Sequence, residues 1–329
     1  MKLNACGEIK KILFITLSNI GDCILTFPVF DVLRQEFPKA EIDVVVGPKA
    51  QGLFEGNPSI KRVIVFDKRQ NAWAQLRWAL SLRREKFDLI VDLRNTAIPL
   101  LVGAKYRTAI IIKKENHIHM RQKHLNRLKA ILGKTDEARV RFALPILPRE
   151  QEAVKKLMSP NISLQERFAV IAPGAANHLK RWKPEGFAQA ADSLAARYNL
   201  KIIFVGDKHD EPSVEAVVKE MKSGFLNLCG KTTLKELAAL VARASLVMAN
   251  DSGTMHMASY LDIPAVAIFG PSDHVKYGPW GKNSCLVKSD ARCAACEKPR
   301  SNAAHECMER VSVAQVLDAA KNILTAQKS

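Results

Sequence analysis

Cysteine is scarce and irregularly placed, with seven in 329 residues and no even framework among them. This argues against a disulfide-stapled secreted domain, and a reducing compartment, the cytoplasm, is expected. Long apolar runs are missing as well: no segment reaches the roughly 20 residues of a membrane span. The run Ile12 to Leu17 is too short for the apolar stretch of a secretory leader and breaks at Ser18, Asn19, Gly21 and Asp22, so it reads as a first buried strand. Aromatic residues are only 6% of the chain, and no helix-turn-helix or zinc-finger spacing occurs, which argues against nucleic acid as a partner. Glycine fingerprints are absent too. The loop Ser18 to Asp22 has one glycine where a dinucleotide site needs three, and a P-loop would need Gly-Lys-Ser/Thr at its end. No Gly-x-Ser-x-Gly elbow accompanies His256 or His274, so a hydrolase triad is not expected. Internal repeats and low-complexity tracts are also lacking.

What is present is enough for two ordinary cores, at 47% hydrophobic residues. The net charge of +17 lies mostly in residues 1–160. Within that half, residues 103–129 carry Lys105, Arg107, Lys113, Lys114, Arg121, Lys123, Arg127 and Lys129 against the single acid Glu115. Such a run is either a solvated basic face or a surface for something acidic, such as an anionic membrane or a phosphorylated molecule.

Short apolar runs alternate with helix-length amphipathic segments, the pattern of parallel sheets with crossover helices. Strands are expected at 11–16, 42–46, 62–66, 89–93 and 107–112, and helices near 22–37, 72–85 and 120–132. The pattern restarts with strands at 168–172, 201–205, 245–248 and 265–269, and helices near 184–198, 212–221, 234–243, 254–260 and 312–325. Between the two series, residues 145–164 hold Pro145, Pro148 and Pro160 and read as the linker. The fold class is therefore α/β, two doubly wound units in tandem, with domains set at 1–155 and 156–329.

Ligands of open α/β sheets bind beyond the carboxyl ends of the strands, so the loops there carry the information. The most telling is Asn250-Asp251-Ser252-Gly253, between a strand and a helix that includes His256. The first N–H groups of that helix, with its dipole, would trap a phosphate; the plainer alternative is an ordinary capped helix start. Pro173-Gly174-Ala175-Ala176 and Gly206-Asp207 add further small-residue loops, and Lys180-Arg181-Trp182 brings two cations suited to a departing diphosphate. Trp182 itself reads as a packing residue. At the mouth of the first strand Asp22 begins a helix, an end that favours the ionised carboxylate a general base needs; a simple helix-start residue is the alternative. Cys293, Cys296, His305 and Cys307 have the spacing of either a zinc clip or free thiols in a loop.

Taken in order, Asn19-Ile20-Gly21-Asp22 with Thr26-Phe27-Pro28, Pro173-Gly174-Ala175 with Lys180-Arg181-Trp182, Cys229-Gly230-Lys231, Asn250 to His256, and Phe269-Gly270-Pro271-Ser272 resemble the ADP-heptose:lipopolysaccharide heptosyltransferases, glycosyltransferase family nine. The likeness covers nearly the whole chain. It implies a GT-B architecture of two Rossmann-like domains facing across a cleft, with the C-terminal helix packing back on the N-terminal domain. It also implies inverting transfer from an ADP-sugar without metal or cofactor. By position, Asp22 would be the general base and Lys180 would meet the diphosphate. Gly174, Ala175, Ala176, Asp207, Lys231, Asp251, Ser252, Gly253 and His256 would line the donor site. Ser18, Asn19, Gly21, Lys105, Arg107, Arg121 and Lys123 would serve an anionic, lipid-linked inner-core acceptor with phosphates and Kdo carboxylates, at the inner face of the cytoplasmic membrane. Three departures stand out: Ala175 and Ala176 replace a hydroxyl pair of some members, Lys208 an acidic residue whose part Asp207 would take, and Lys298-Pro299-Arg300-Ser301 a further cysteine.

Overall fold

A computed structural model describes residues 9–67, 69, 71–109, 117–133, 140–163, 165–289 and 306–326. The chain divides into two compact units, Met1–Pro145 and Ile146–Ser329.

The first unit is a parallel sheet of β1 (Lys11–Ile15), β2 (Glu41–Val46), β3 (Arg62–Val65), β4 (Leu89–Asp92) and β5 (Tyr106–Arg107). Its helices are α1 (Ile20–Ile24), α2 (Phe27–Glu36), α3 (Ala72–Leu82), α4 (Ile98–Val102) and α5 (Met120–Leu132). The strand order is β3-β2-β1-β4-β5, so chain direction across the sheet reverses between β1 and β4. Ile12 to Ile15 are wholly buried, as a strand covered by helices on both faces requires. The single helix expected over 22–37 is two. Pro28 has no N–H to continue a helix and instead stands in the first turn of α2, while Thr26 Oγ1 donates to Cys23 O at 2.6 Å and closes α1. Of the strand expected at 107–112, residues 110–112 lie outside the described residues.

The second unit opens with α6 (Pro148–Met158) and builds a six-stranded parallel sheet from β6 (Phe168–Ala172), β7 (Lys201–Phe204), β8 (Phe225–Asn227), β9 (Leu246–Asn250), β10 (Ala265–Phe269) and β11 (Ser284–Lys288). Helices α7 (Pro184–Tyr198), α8 (Glu211–Glu220), α9 (Leu234–Val241), α10 (Gly253–Leu261), α11 (His274–Tyr277), α12 (Glu306–Glu309) and α13 (Val313–Ala326) accompany it. The order β11-β10-β9-β6-β7-β8 reverses between β6 and β9. Both sheets are thus doubly wound, as the alternation of runs required.

Three features add to the sequence reading. The compact units divide before α6, which packs on α9 and buries Val154 and Met158. Strands β8 and β11 escaped the sequence reading, since as short or half-exposed edge strands they carry no fully apolar run. The C-terminal helix α13 packs on α7, β10 and β11 of its own unit, where Val316, Ala320 and Leu324 join the core. Among the described residues no helix is long and apolar enough to cross a membrane.

Candidate functional site

In a doubly wound sheet the crevice lies at the strand ends where the order reverses. In the second unit that point separates β6 from β9, and the loops following these strands are Pro173 to Ala176 and Asp251 to Ser252. Asn250, fully buried at the end of β9, ties the first loop down: its Nδ2 donates to Pro173 O at 2.7 Å and its Oδ1 accepts from Trp182 N at 3.1 Å. Arg181 holds the same loop from outside, donating from Nε and Nη2 to Ala175 O at 3.1 and 2.9 Å. Trp182 is buried against Phe187 and donates from Nε1 to Val311 O at 3.0 Å, a packing role as expected.

The start of α10 is not an ordinary capped helix. Ser252 occupies the N-cap position in an extended conformation, yet its side chain makes no capping bond. Among the described residues its buried Oγ has no hydrogen-bond partner. The first backbone N–H groups of a helix have no intrahelical acceptors, so this end presents several donors and a partial positive charge to an anion. Beside it, Lys180 Nζ donates to Asp251 Oδ2 at 2.7 Å, and His256 Nε2 lies 3.9 Å from Oδ1 of the same carboxylate. Trp280 stacks on the His256 ring at 5.6 Å. Asp251 is thus the post that orients Lys180, rather than a group pointing into solvent.

Asp210, which sequence reading passed over, fills the space between two loops. Its Oδ2 accepts from Asp207 N at 3.1 Å, and burial raises its carboxyl above the usual carboxylate range. A Cβ on Gly174 would meet its carboxylate at 2.1 Å, so glycine is required here by close approach. Gly174→Ala is expected to cost about 1–3 kcal/mol in urea denaturation. Ala176→Ser, at an exposed position two residues on, is expected within about 0.5 kcal/mol of the parent; equal stability of the two variants would refute the packing account. Asp207 is exposed and accepts from His209 N, while Lys231 Nζ donates to Asn227 O at the end of the edge strand β8. These two stand along the same rim, one and two strands from β6, about 5 and 10 Å away across the sheet.

In the first unit the reversal separates β1 from β4, and Ser18 to Asp22 follows β1. Asp22 is half-buried in the first turn of α1 and its Oδ2 accepts from Asn19 Nδ2 at 2.9 Å. The neighbouring Cys23 is inert: burial pushes its thiol up to about 12. At the end of β4, the buried Asp92 carboxylate accepts from Arg94 N, Thr96 N and Thr96 Oγ1, all at 2.7 Å. This turn carries the Arg94 side chain to Ser18, where Nη2 donates to Oγ at 2.6 Å, with the guanidinium over the Phe66 ring at 4.9 Å. Burial lowers the Arg94 pKa, and among the described residues no carboxylate pairs with it. On α5, Arg127 donates to Asn95 Oδ1 and to Ala109 O, bringing a second half-buried guanidinium to this turn.

The basic run 103–129 is therefore not one surface. Lys105 precedes β5 and lies opposite Asp88, about four strand positions or 13 Å below the Asp92 rim. Arg107 pairs with Ile90 and folds back to donate to Ala104 O at 3.2 Å, so neither joins Ser18, Asn19, Gly21 and Asp22. Arg121 and Lys123 sit half-buried in the first turn of α5, on the helix that brings Arg127 to the rim. Lys113 and Lys114 lie outside the described residues, as do Cys293, Cys296, His305 and Lys298 to Ser301. Cys307 is buried in the second unit's core. Arg94 and Asp210 carry no motif of their own; their place in the loops that follow β4 and β7 is the one signal that marks them, whereas Asn250 ends β9 inside the Asn250 to Gly253 motif.

Two doubly wound parallel units with loops gathered at their reversal points are the architecture of the GT-B class. The fold matches a family 9 glycosyl transferase from Veillonella parvula at a TM-score of 0.84 and 26% identity, covering 99% of this chain and 100% of that one. It matches the ADP-heptose lps heptosyltransferase II of E. coli at 0.78 and 21% identity, covering 97% and 100%. In sequence, lipooligosaccharide heptosyltransferase 2 of Campylobacter jejuni is 28% identical over 316 residues, 93% of this chain and 95% of the relative. The description of glycosyltransferase family 9 (heptosyltransferase) fits residues 76–305, and the chain belongs to that family.

Proposed function

We propose that the chain is an inverting heptosyltransferase of lipopolysaccharide core synthesis, moving heptose from ADP-heptose to a Kdo or heptose hydroxyl. The observation that carries this is the uncapped start of α10, with buried Ser252 Oγ and Lys180 held beside it by Asp251. The names of the relatives, which act on lipooligosaccharide or lipopolysaccharide, support the acceptor class.

In this reading the second unit binds the donor. The N–H groups of Gly253 and its neighbours, Ser252 Oγ and Lys180 take the diphosphate, and backbone groups of Gly174, Ala175 and Ala176 take the place of the missing hydroxyls. Asp207 and Lys231 serve the nucleoside, and His256 steadies Asp251. The first unit binds the acceptor through Ser18, Asn19 and Gly21, with Arg94 and Arg127 meeting its carboxylates or phosphates and Arg121 and Lys123 adding positive field. Asp22 accepts the proton of the acceptor hydroxyl as its oxygen attacks the anomeric carbon. The bond from that carbon to the diphosphate oxygen breaks, inverting the centre, and ADP leaves with its new charge offset by Lys180 and the helix start. No step calls for a metal or cofactor.

ADP release from ADP-heptose, measured with a panel of truncated core acceptors, tests the proposal. Turnover is expected with Kdo- or heptose-terminated acceptors, and the acceptor KM is expected to rise with salt as the charge attraction is screened. Turnover only with another nucleotide-sugar would overturn the donor assignment, and a salt-insensitive KM would overturn recognition by Arg94 and Arg127.

A further inference from the structure

Helix α3 buries one face and leaves the other without a protein partner among the described residues. Trp78 packs on Phe66 at 4.8 Å, and Ala79 and Leu82 are buried. The opposite face carries Trp73, Arg77, Leu80 and, in the 3-10 turn that follows, Arg84, at spacings that align them along one side. All four are exposed, Trp73 to 75%. Leu100 on α4, which packs against α3, is 55% exposed, and Val65 at the end of β3 is exposed too. In a parallel sheet the crossover helix begins at the carboxyl ends of the strands, so Trp73 and Leu100 stand on the rim that carries Ser18 to Asp22.

From this we infer that the Trp73–Arg77–Leu80–Arg84 face, with Leu100, docks the first unit on an anionic lipid bilayer. The arginines of this face and the net charge of +17, most of it in residues 1–160, repel a second, equally basic copy and attract an anionic surface. At a bilayer surface the alternation of apolar side chains with arginines is favourable. The indole sits at headgroup depth, the leucines enter the acyl boundary, and the guanidinium groups meet lipid phosphates. Resting on the reading of a lipid-linked acceptor, this surface would hold the Asp22 rim beside the membrane from which that acceptor projects.

Cosedimentation of the full chain with vesicles tests the inference without any turnover. The protein is expected to pellet with phosphatidylglycerol-containing vesicles and to stay in solution with pure phosphatidylcholine. Arg77→Glu/Arg84→Glu should weaken binding at least about 30-fold, and Trp73→Ser/Leu80→Ser at least about tenfold. Because these side chains are exposed, both variants should keep the parent's unfolding midpoint and its ADP release with a soluble, delipidated acceptor. Losing that soluble activity in the parent would sink the proposed reaction and leave the docking surface standing. Equal binding to both vesicle types, or unimpaired binding of either variant, would overturn the docking surface. So would a parent dimer in sedimentation velocity that Trp73→Ser/Leu80→Ser dissociates.

Discussion

Asp22→Asn is expected to lower kcat by roughly 10²–10⁴-fold while leaving the affinity for ADP nearly unchanged. The asparagine is isosteric and keeps an oxygen that accepts from Asn19 Nδ2, so the loop geometry seen at 2.9 Å survives. What is lost is the capacity to take a proton. Since Asp22 belongs to the first unit and the proposed nucleotide site to the second, nucleotide binding gives an internal control for folding. Isothermal titration with ADP and single-turnover heptose transfer separate the two effects. Transfer at near the parent rate would remove Asp22 from the role of base, and loss of ADP affinity in step with kcat would point to a disturbed fold instead.

Lys180→Met should act on the other half of the reaction, with kcat falling roughly 10²–10³-fold and ADP affinity weakened. Two consequences are mixed in that variant. The leaving diphosphate loses a cation, and Asp251, only 7% exposed in its side chain, loses the partner at 2.7 Å. The Lys180 side chain is 34% exposed, so the stability cost is expected to be about 1–2 kcal/mol, below that of a fully buried pair. The double variant Lys180→Met/Asp251→Asn resolves the mixture. It should recover most of the lost stability in urea denaturation, because no uncompensated carboxylate remains, yet regain none of the rate. Recovery of turnover along with stability would show that Lys180 matters only as a structural partner of Asp251.

Much of the architecture was legible because its signals are local. Buried strands such as Phe168–Ala172 and Ala265–Phe269 are apolar throughout, and each polar loop after them begins where the sheet ends. Pro28 is a local signal of the same kind, since a proline opens a helix more readily than it continues one and so separates α1 from α2. By contrast β8 and β11 carry half-exposed residues, and an edge strand has no burial pattern of its own until its neighbour is known.

By itself the sequence determined two doubly wound units, the strand-to-helix turn at Asn250 to Gly253, and Asp22 at the start of a helix. These follow from hydrogen-bonding and burial demands satisfied within a few residues. Only the tertiary structure decided that Lys180 pairs with Asp251, 71 residues away, and that Arg94 reaches Ser18 across 76. It alone divided the basic run, sending Lys105 to one end of the sheet and Arg127 to the other. The physical reason is common to all three. A charge finds its partner according to which strands lie side by side and at what register, and strand order is set by packing across the whole unit.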